Sequence, residues 1–192
     1  MLGNFPDKTP QYLAQAAKVL DAVRAANKTG NKPPTTIVHV NVAFRPGRPE
    51  LNPGSSIASR VKDMPANVFV EGDQSVALFD ELTIPAAAKS EDEEPANEVF
   101  VTKRRVSALS GTDLPTILRG RGINHLVLCG VVTSGAVLST LREAADMDYG
   151  LTVLGDLCMD SDEEVHRVLV EKVFTKQAEV LTAEEWVAKE FA

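Results

Sequence analysis

A chain of 192 residues with 44% apolar and 24% charged residues and a net charge of −7 has an ordinary globular composition and the length of one domain, 1–192. The acidic balance excludes nucleic acid as a general partner, since phosphate binding needs concentrated Lys and Arg and the one basic cluster is Lys103-Arg104-Arg105. No apolar run approaches the ~20 residues of a membrane span, and no basic-then-apolar signal follows Met1, which excludes a membrane partner and predicts a cytoplasmic protein.

The elements follow in order. Thr9 reads as an N-cap with Pro10 at the first helical position, and Leu13, Ala16, Ala17, Leu20 and Val23 recur at helical spacing until Gly30 stops the helix. Thr36–Phe44 is β-branched and mostly apolar, a buried strand, and a loop rich in Pro, Gly and Arg follows it. Residues 86–98 are acidic and small and read as a solvated surface loop. A strand is expected at Val99–Val106, a helix near Thr112–Leu118 and a strand at Leu126–Val132. Next come a helix from about Ser134 to Tyr149, stopped by Gly150, and a strand at Leu151–Leu157. Ser161-x-x-Glu164 is a capping box opening a helix with Val165, Val168, Leu169 and Val173 on one face. A short strand at Glu179–Leu181 and a helix at Ala183–Phe191 close the chain, and no internal repeat is present.

Strands separated by helices pair in parallel through right-handed crossovers. The predicted architecture is therefore an α/β three-layer sandwich on a mainly parallel, Rossmann-like sheet, with ligands beyond the C-terminal strand ends. Cys129 and Cys158 sit in apolar strand contexts and read as buried free thiols in a reducing compartment.

Residues 123–140, INHLVLCGVVTSGAVLST, run from an apolar strand through a polar, glycine-containing turn into an amphipathic helix. At such a junction backbone N–H groups and the helix dipole stabilise negative charge, as an oxyanion hole requires. Thr133 or Ser134 is the expected N-cap of that helix. A hydroxyl nucleophile there would need a base, but His39, His125 and His166 read as satisfied structural histidines. No His/Asp set has metal-ligand spacing, so neither a metal nor a cofactor is expected.

Residues 123–140 resemble the nucleophile turn of the isochorismatase-like cysteine hydrolases, relatives of nicotinamidase, N-carbamoylsarcosine amidase and isochorismatase. VTKRRVSALSGTDL, Val101–Leu114, resembles that family's lysine-bearing strand. The loop Phe44-Arg45-Pro46-Gly47-Arg48-Pro49-Glu50 and the run Asp162–Trp186 look like one subgroup of it. The resemblance implies that Lys103 is the catalytic lysine and that Ala136 occupies the position of the nucleophilic cysteine, without its thiol. It also implies a cis bond at Val131–Val132, oxyanion donors at Val132 and Ala136, and a pocket lined by Val131, Val132, Thr133, Ser134, Gly135, Phe44 and Arg45.

The family's aspartate lies on a first, central strand ahead of the helix that here begins at Thr9. Without that strand, two strands would lack a hydrogen-bonding neighbour. An N-terminally shortened chain is the preferred explanation, with a sheet that closes the gap or borrows a strand as the alternative. The expected function is a hydrolase-fold protein with a small-molecule pocket but no thiol-based hydrolysis. The alternatives are a non-cysteine hydrolase, acid-catalysed or Ser/Thr-assisted, and a structural subunit. The resemblance further implies a homo-oligomer, a dimer or larger.

Overall fold

The computed structural model describes residues 5–30, 33–83 and 97–191. Helix α1, Thr9–Thr29, carries Pro10 in its first turn, where a missing N–H costs nothing, and ends at Gly30 in the left-handed region at φ +67°. Thr9 is the first helical residue rather than the cap, because its hydroxyl donates to Phe5 O at 2.7 Å. Strand β1, Ile37–Val42, pairs in parallel with β2, Glu98–Lys103, so that Val42 lies opposite Lys103. Strands β3, His125–Val131, β4, Gly150–Met159, and β5, Glu179–Leu181, form a second parallel sheet in that order.

The expected parallel pairing is present, but in two sheets. Among the described residues no strand pairs with the free edge of β1 or of β3. Parallel sheets are ordinarily covered on both faces. Val40 is 40% exposed, and Cys129 is exposed rather than buried as expected, no strand lying against the free edge of β3 among the described residues. Cys158 on β4 is buried.

Two cores place helices on opposite faces, which makes the three layers. One joins Val101 of β2 and Val153 of β4 to Leu118 of α3, Leu114–Gly120, and to Leu141 and Ala144 of α4, Leu138–Asp146. The other joins Ile37 and Leu154 to Val23 of α1 and Trp186 of α6, Ala183–Phe191. Each fully buried aliphatic side chain contributes about 1.5–3 kcal/mol. No helix among the described residues is long and apolar enough to cross a membrane.

Several boundaries differ from expectation for local reasons. Strand β2 ends at Lys103, not Val106, and Glu98 starts it instead of belonging to the solvated loop; residues 86–96 of that loop lie outside the described residues. Glu98 is enclosed, accepting from Arg24 Nε at 2.7 Å and pairing with His39 Nε2 at 2.8 Å. A short helix α2, Ser56–Val61, interrupts the long segment after β1, capped by Ser55, whose hydroxyl accepts from Ala58 N. The helix after β3 opens as a π-turn at Thr133–Val137, and α4 ends well before Gly150, which is the first residue of β4. A Cβ at Gly150 would lie 2.6 Å from His125 Nδ1, so a larger residue there would displace that ring. Helix α5, Glu163–Val168, is capped by Asp162, whose carboxylate accepts from Glu164 N and Val165 N, so the predicted box built on Ser161 is displaced by one residue.

Candidate functional site

Lys103 is the last residue of β2, and its side chain turns inward until only 6% of the residue is exposed. Its Nζ donates to Arg105 O at 3.0 Å. Among the described residues no carboxylate lies within ion-pair distance of it. Burial, followed by repulsion from Arg60, therefore lowers its pKa from 10.5 to about 8.

The segment after β3 supplies the second part. The Val131–Val132 peptide is cis, as the sequence resemblance implies. Beyond it the chain tightens into the π-turn, where Gly135 N and Val137 N both donate to Val132 O, at 3.1 and 3.3 Å. Ala136 is half-buried at the start of the helix.

Neither Thr133 nor Ser134 caps this helix through its side chain. Thr133 is fully buried, and its hydroxyl is bonded to His166 Nδ1 at 2.9 Å. That pairing resembles a hydroxyl with its base, but the enclosed Oγ1 has no surface to present to a substrate. Ser134 N donates at 2.7 Å to Asp160 Oδ2, so the cap comes from the far end of β4. Burial pushes the Asp160 carboxyl up, but hydrogen bonds from the Ser134 hydroxyl and from backbone N–H groups of Ser134, Asp162 and Ser161 outweigh it and hold the group below the usual carboxylate range.

The loop after β1 contributes less than expected. Phe44 is 0% exposed and anchors the loop, its N–H donating to Phe69 O at 2.8 Å and its carbonyl accepting from Glu71 N at 2.9 Å. It is a core residue, because the isolated bridge between Phe44 and Val70 draws it under the segment that follows. Arg45 stays at the exposed rim, paired with Glu50 at 3.1 Å. Of the basic cluster, Lys103 points inward, Arg104 pairs with Glu50 and Glu71, and Arg105 donates to the carbonyls of Glu50 and Arg104.

A residue that sequence reasoning missed, Arg60 on α2, lies against the turn. Its Nη1 comes within 3.5 Å of where a Cβ of residue 135 would stand, and its charge acts on Lys103. A side chain at residue 135 is excluded, because the same Cβ would lie 2.9 Å from Val132 Cγ2. The Lys103 segment is tied to the helix after the turn by Ala108 N donating to Thr140 Oγ1 at 2.9 Å. Lys103 ends β2 and the 132–136 turn follows β3, so both lie at the C-terminal ends of parallel strands.

A separate cavity of about 320 Å³ opens between α1, β4 and α5, lined by Tyr12, Asp156, Cys158, Asp160, Glu163 and His166 among others. Its acids are already engaged: Asp156 by Gln15 and Ala183 N, Asp160 by Ser134 N, and Glu163 by Lys8. It contains neither Lys103 nor the turn. His39, His125 and His166 are each hydrogen-bonded, to Glu98, Thr152 and Thr133. Among the described residues no group of three His, Cys, Asp or Glu side chains is placed to hold a metal ion.

Comparison with known proteins gives consistent matches. Residues 3–185 match the isochorismatase domain. The chain is 30% identical over 183 residues to the isochorismatase family protein YwoC of Bacillus subtilis, covering 94% of this chain and 84% of that one. It is 30% identical over 112 residues to the ureidoacrylate amidohydrolase RutB of Yersinia enterocolitica, covering 57% of this chain and 44% of the amidohydrolase, less than half its length. Among solved structures, an isochorismatase family protein from Burkholderia thailandensis superposes with a TM-score of 0.72 at 25% identity, over 92% of this chain and 81% of that one.

Proposed function

This chain belongs to the isochorismatase family, and we propose that its site binds a small planar acid or amide without thiol-based hydrolysis. The observation that carries this reading is Lys103, a buried cation whose Nζ has the carbonyl of Arg105 for a partner. An uncompensated buried charge is costly and is retained where it meets a ligand. The ligand's carbonyl or carboxyl oxygen would lie against the Lys103 ammonium and the N–H groups of Val132 and Ala136, with Arg45 at the rim.

Covalent catalysis in this family needs a thiolate, a carboxylate base and a lysine. By the sequence resemblance Ala136 stands at the thiol's position, and its methyl group can form no acyl intermediate. Among the described residues no carboxylate lies within ion-pair distance of Lys103. A ligand of the right size is suggested by the relative named for ureidoacrylate.

The test is calorimetric titration of the protein with ureidoacrylate, alongside an assay for its consumption. Saturable binding without turnover is expected, and Lys103→Ala should abolish the binding. Turnover that disappears in Lys103→Ala would replace this reading with acid-catalysed hydrolysis. No saturable binding would overturn it.

A further inference from the structure

We propose that the cavity between α1, β4 and α5 is a binding site for a small organic cation, a primary ammonium carrying a short apolar body. Lys103 is not among its lining residues, so the inference goes beyond the reading above and does not depend on it.

At about 320 Å³ the cavity stands at the lower end of the ~300–1,000 Å³ typical of ligand pockets. Three carboxylates line it, Asp156, Asp160 and Glu163, against the single lysine Lys8. Lys8 is used near the surface, its Nζ 2.6 Å from Glu163 Oε1, with both side chains more than half exposed. The other two carboxylates are held by neutral donors. Asp156 accepts from the Gln15 amide and, at Oδ1, from Ala183 N at 2.8 Å. Asp160 is 9% exposed, and its Oδ2 accepts from Ser134 N at 2.7 Å. Its Oδ1 is less well served, with Ser161 Oγ at 3.4 Å and Asp162 N at 3.5 Å. Contacts of that length are weak, and a carboxylate oxygen has two lone pairs, so Oδ1 keeps the capacity to accept a strong donor. Burial opposes the Asp160 charge, but the hydrogen bonds from Ser134 and its neighbours outweigh it and keep the group an anion at neutral pH.

A buried anion held only by neutral donors is costly, and a ligand cation offsets that cost. The wall favours an organic cation over a metal ion. Among the described residues no three His, Cys, Asp or Glu side chains are placed to hold a metal. Tyr12, Cys158 and Met159 line the same cavity with an aromatic ring and soft, weakly polar groups. Burial raises the Tyr12 phenol and the Cys158 thiol well above their ordinary pKa values, so both stay neutral and offer a hydrocarbon body a wall without charge. The cavity also backs onto the 132–136 turn. Asp160 holds Ser134 N, and His166 Nδ1 lies 2.9 Å from Thr133 Oγ1. An occupant is therefore felt at residues 133 and 134.

Benzylammonium and benzyl alcohol, a charged and a neutral probe of one size, are titrated into the whole chain at pH 7. Calorimetry measures affinity, and amide chemical shifts locate the probe. Benzylammonium is expected to bind saturably and at least about tenfold more tightly than the alcohol, the ratio a charge-assisted hydrogen bond supplies. Its shifts should centre on Tyr12, Ser134 and His166. Asp160→Asn keeps an oxygen for Ser134 N and should bring the two probes within about twofold. Gln11→Lys sets a fixed cation on an exposed, cavity-lining position of α1, where lysine is a good helix former. It should keep the parent circular dichroism spectrum and weaken benzylammonium about tenfold. Equal binding of the two probes, no saturable binding of the amine, shifts centred on Lys103 and Arg60, or an affinity unchanged in both variants would each overturn the site.

Discussion

Lys103→Met is the most direct probe of what the site costs the fold. The native lysine titrates near 8 and the unfolded one near 10.5. At about 1.4 kcal/mol per pH unit, the folded state carries this charge at a penalty of about 3 kcal/mol at pH 7, where both states are protonated. Methionine has nearly the same length and fills the same volume without the ammonium. The substitution also removes the bond to Arg105 O, worth about 1 kcal/mol. The net expectation is a gain of about 2 kcal/mol at pH 7. The sign of the pH dependence follows from a depressed lysine pKa. Between about pH 8 and 10.5 the native lysine has released its proton while the unfolded chain still binds one, so the parent gains stability as pH rises through that window. The advantage of Lys103→Met should therefore shrink between pH 8 and 10.5 and be gone above it. Urea unfolding followed by circular dichroism at pH 7, 9 and 10.5 measures the difference. A variant less stable than the parent at pH 7, or a difference independent of pH over that window, would refute the reasoning.

Three further outcomes follow from named contacts. Ala136→Cys places a thiol at the start of a helix, next to Gly135 against which Arg60 Nη1 lies, so it should titrate below the usual ~8.5 and alkylate with iodoacetamide at pH 7 faster than either native cysteine; a rate no higher than the parent's would contradict the proposed cationic surroundings. Asp160→Asn removes the carboxylate accepting Ser134 N and should cost about 1–2 kcal/mol at pH 7. Because the native Asp160 carboxyl is held below its ordinary pKa, its contribution is present above pH 4 or so and lost as pH falls through the native value, and the gap between parent and variant should close there in acid unfolding. Glu98→Gln strips the charge from between Arg24 and His39 and should cost about 3 kcal/mol by thermal or urea unfolding; a change under about 1 kcal/mol would mean the pair is solvated.

The amino-acid sequence by itself determined the α/β class, the parallel pairing and most elements, because hydrophobic period and punctuating Gly and Pro are local properties. The last strand and helix lie at the expected Glu179–Leu181 and Ala183–Phe191, and Gly30 stops α1 where its φ requires. The 131–137 turn and its cis bond were legible through motif resemblance, and Lys103 as the residue of interest came the same way. What only the tertiary structure decided depends on distance across the fold. The turn is capped by Asp160 from 26 residues away, which no local capping rule can anticipate. Phe44, next to a loop of functional appearance, is drawn into the core by the chain folding over it at Phe69–Glu71. Cys129 has the neighbours of a buried strand residue yet is exposed, since burial belongs to the strand alongside rather than to the residue's own sequence. Arg60 carries no local signal, being one cation in a short helix of six residues. It becomes a candidate because the fold brings its guanidinium against Gly135, 75 residues further along the chain.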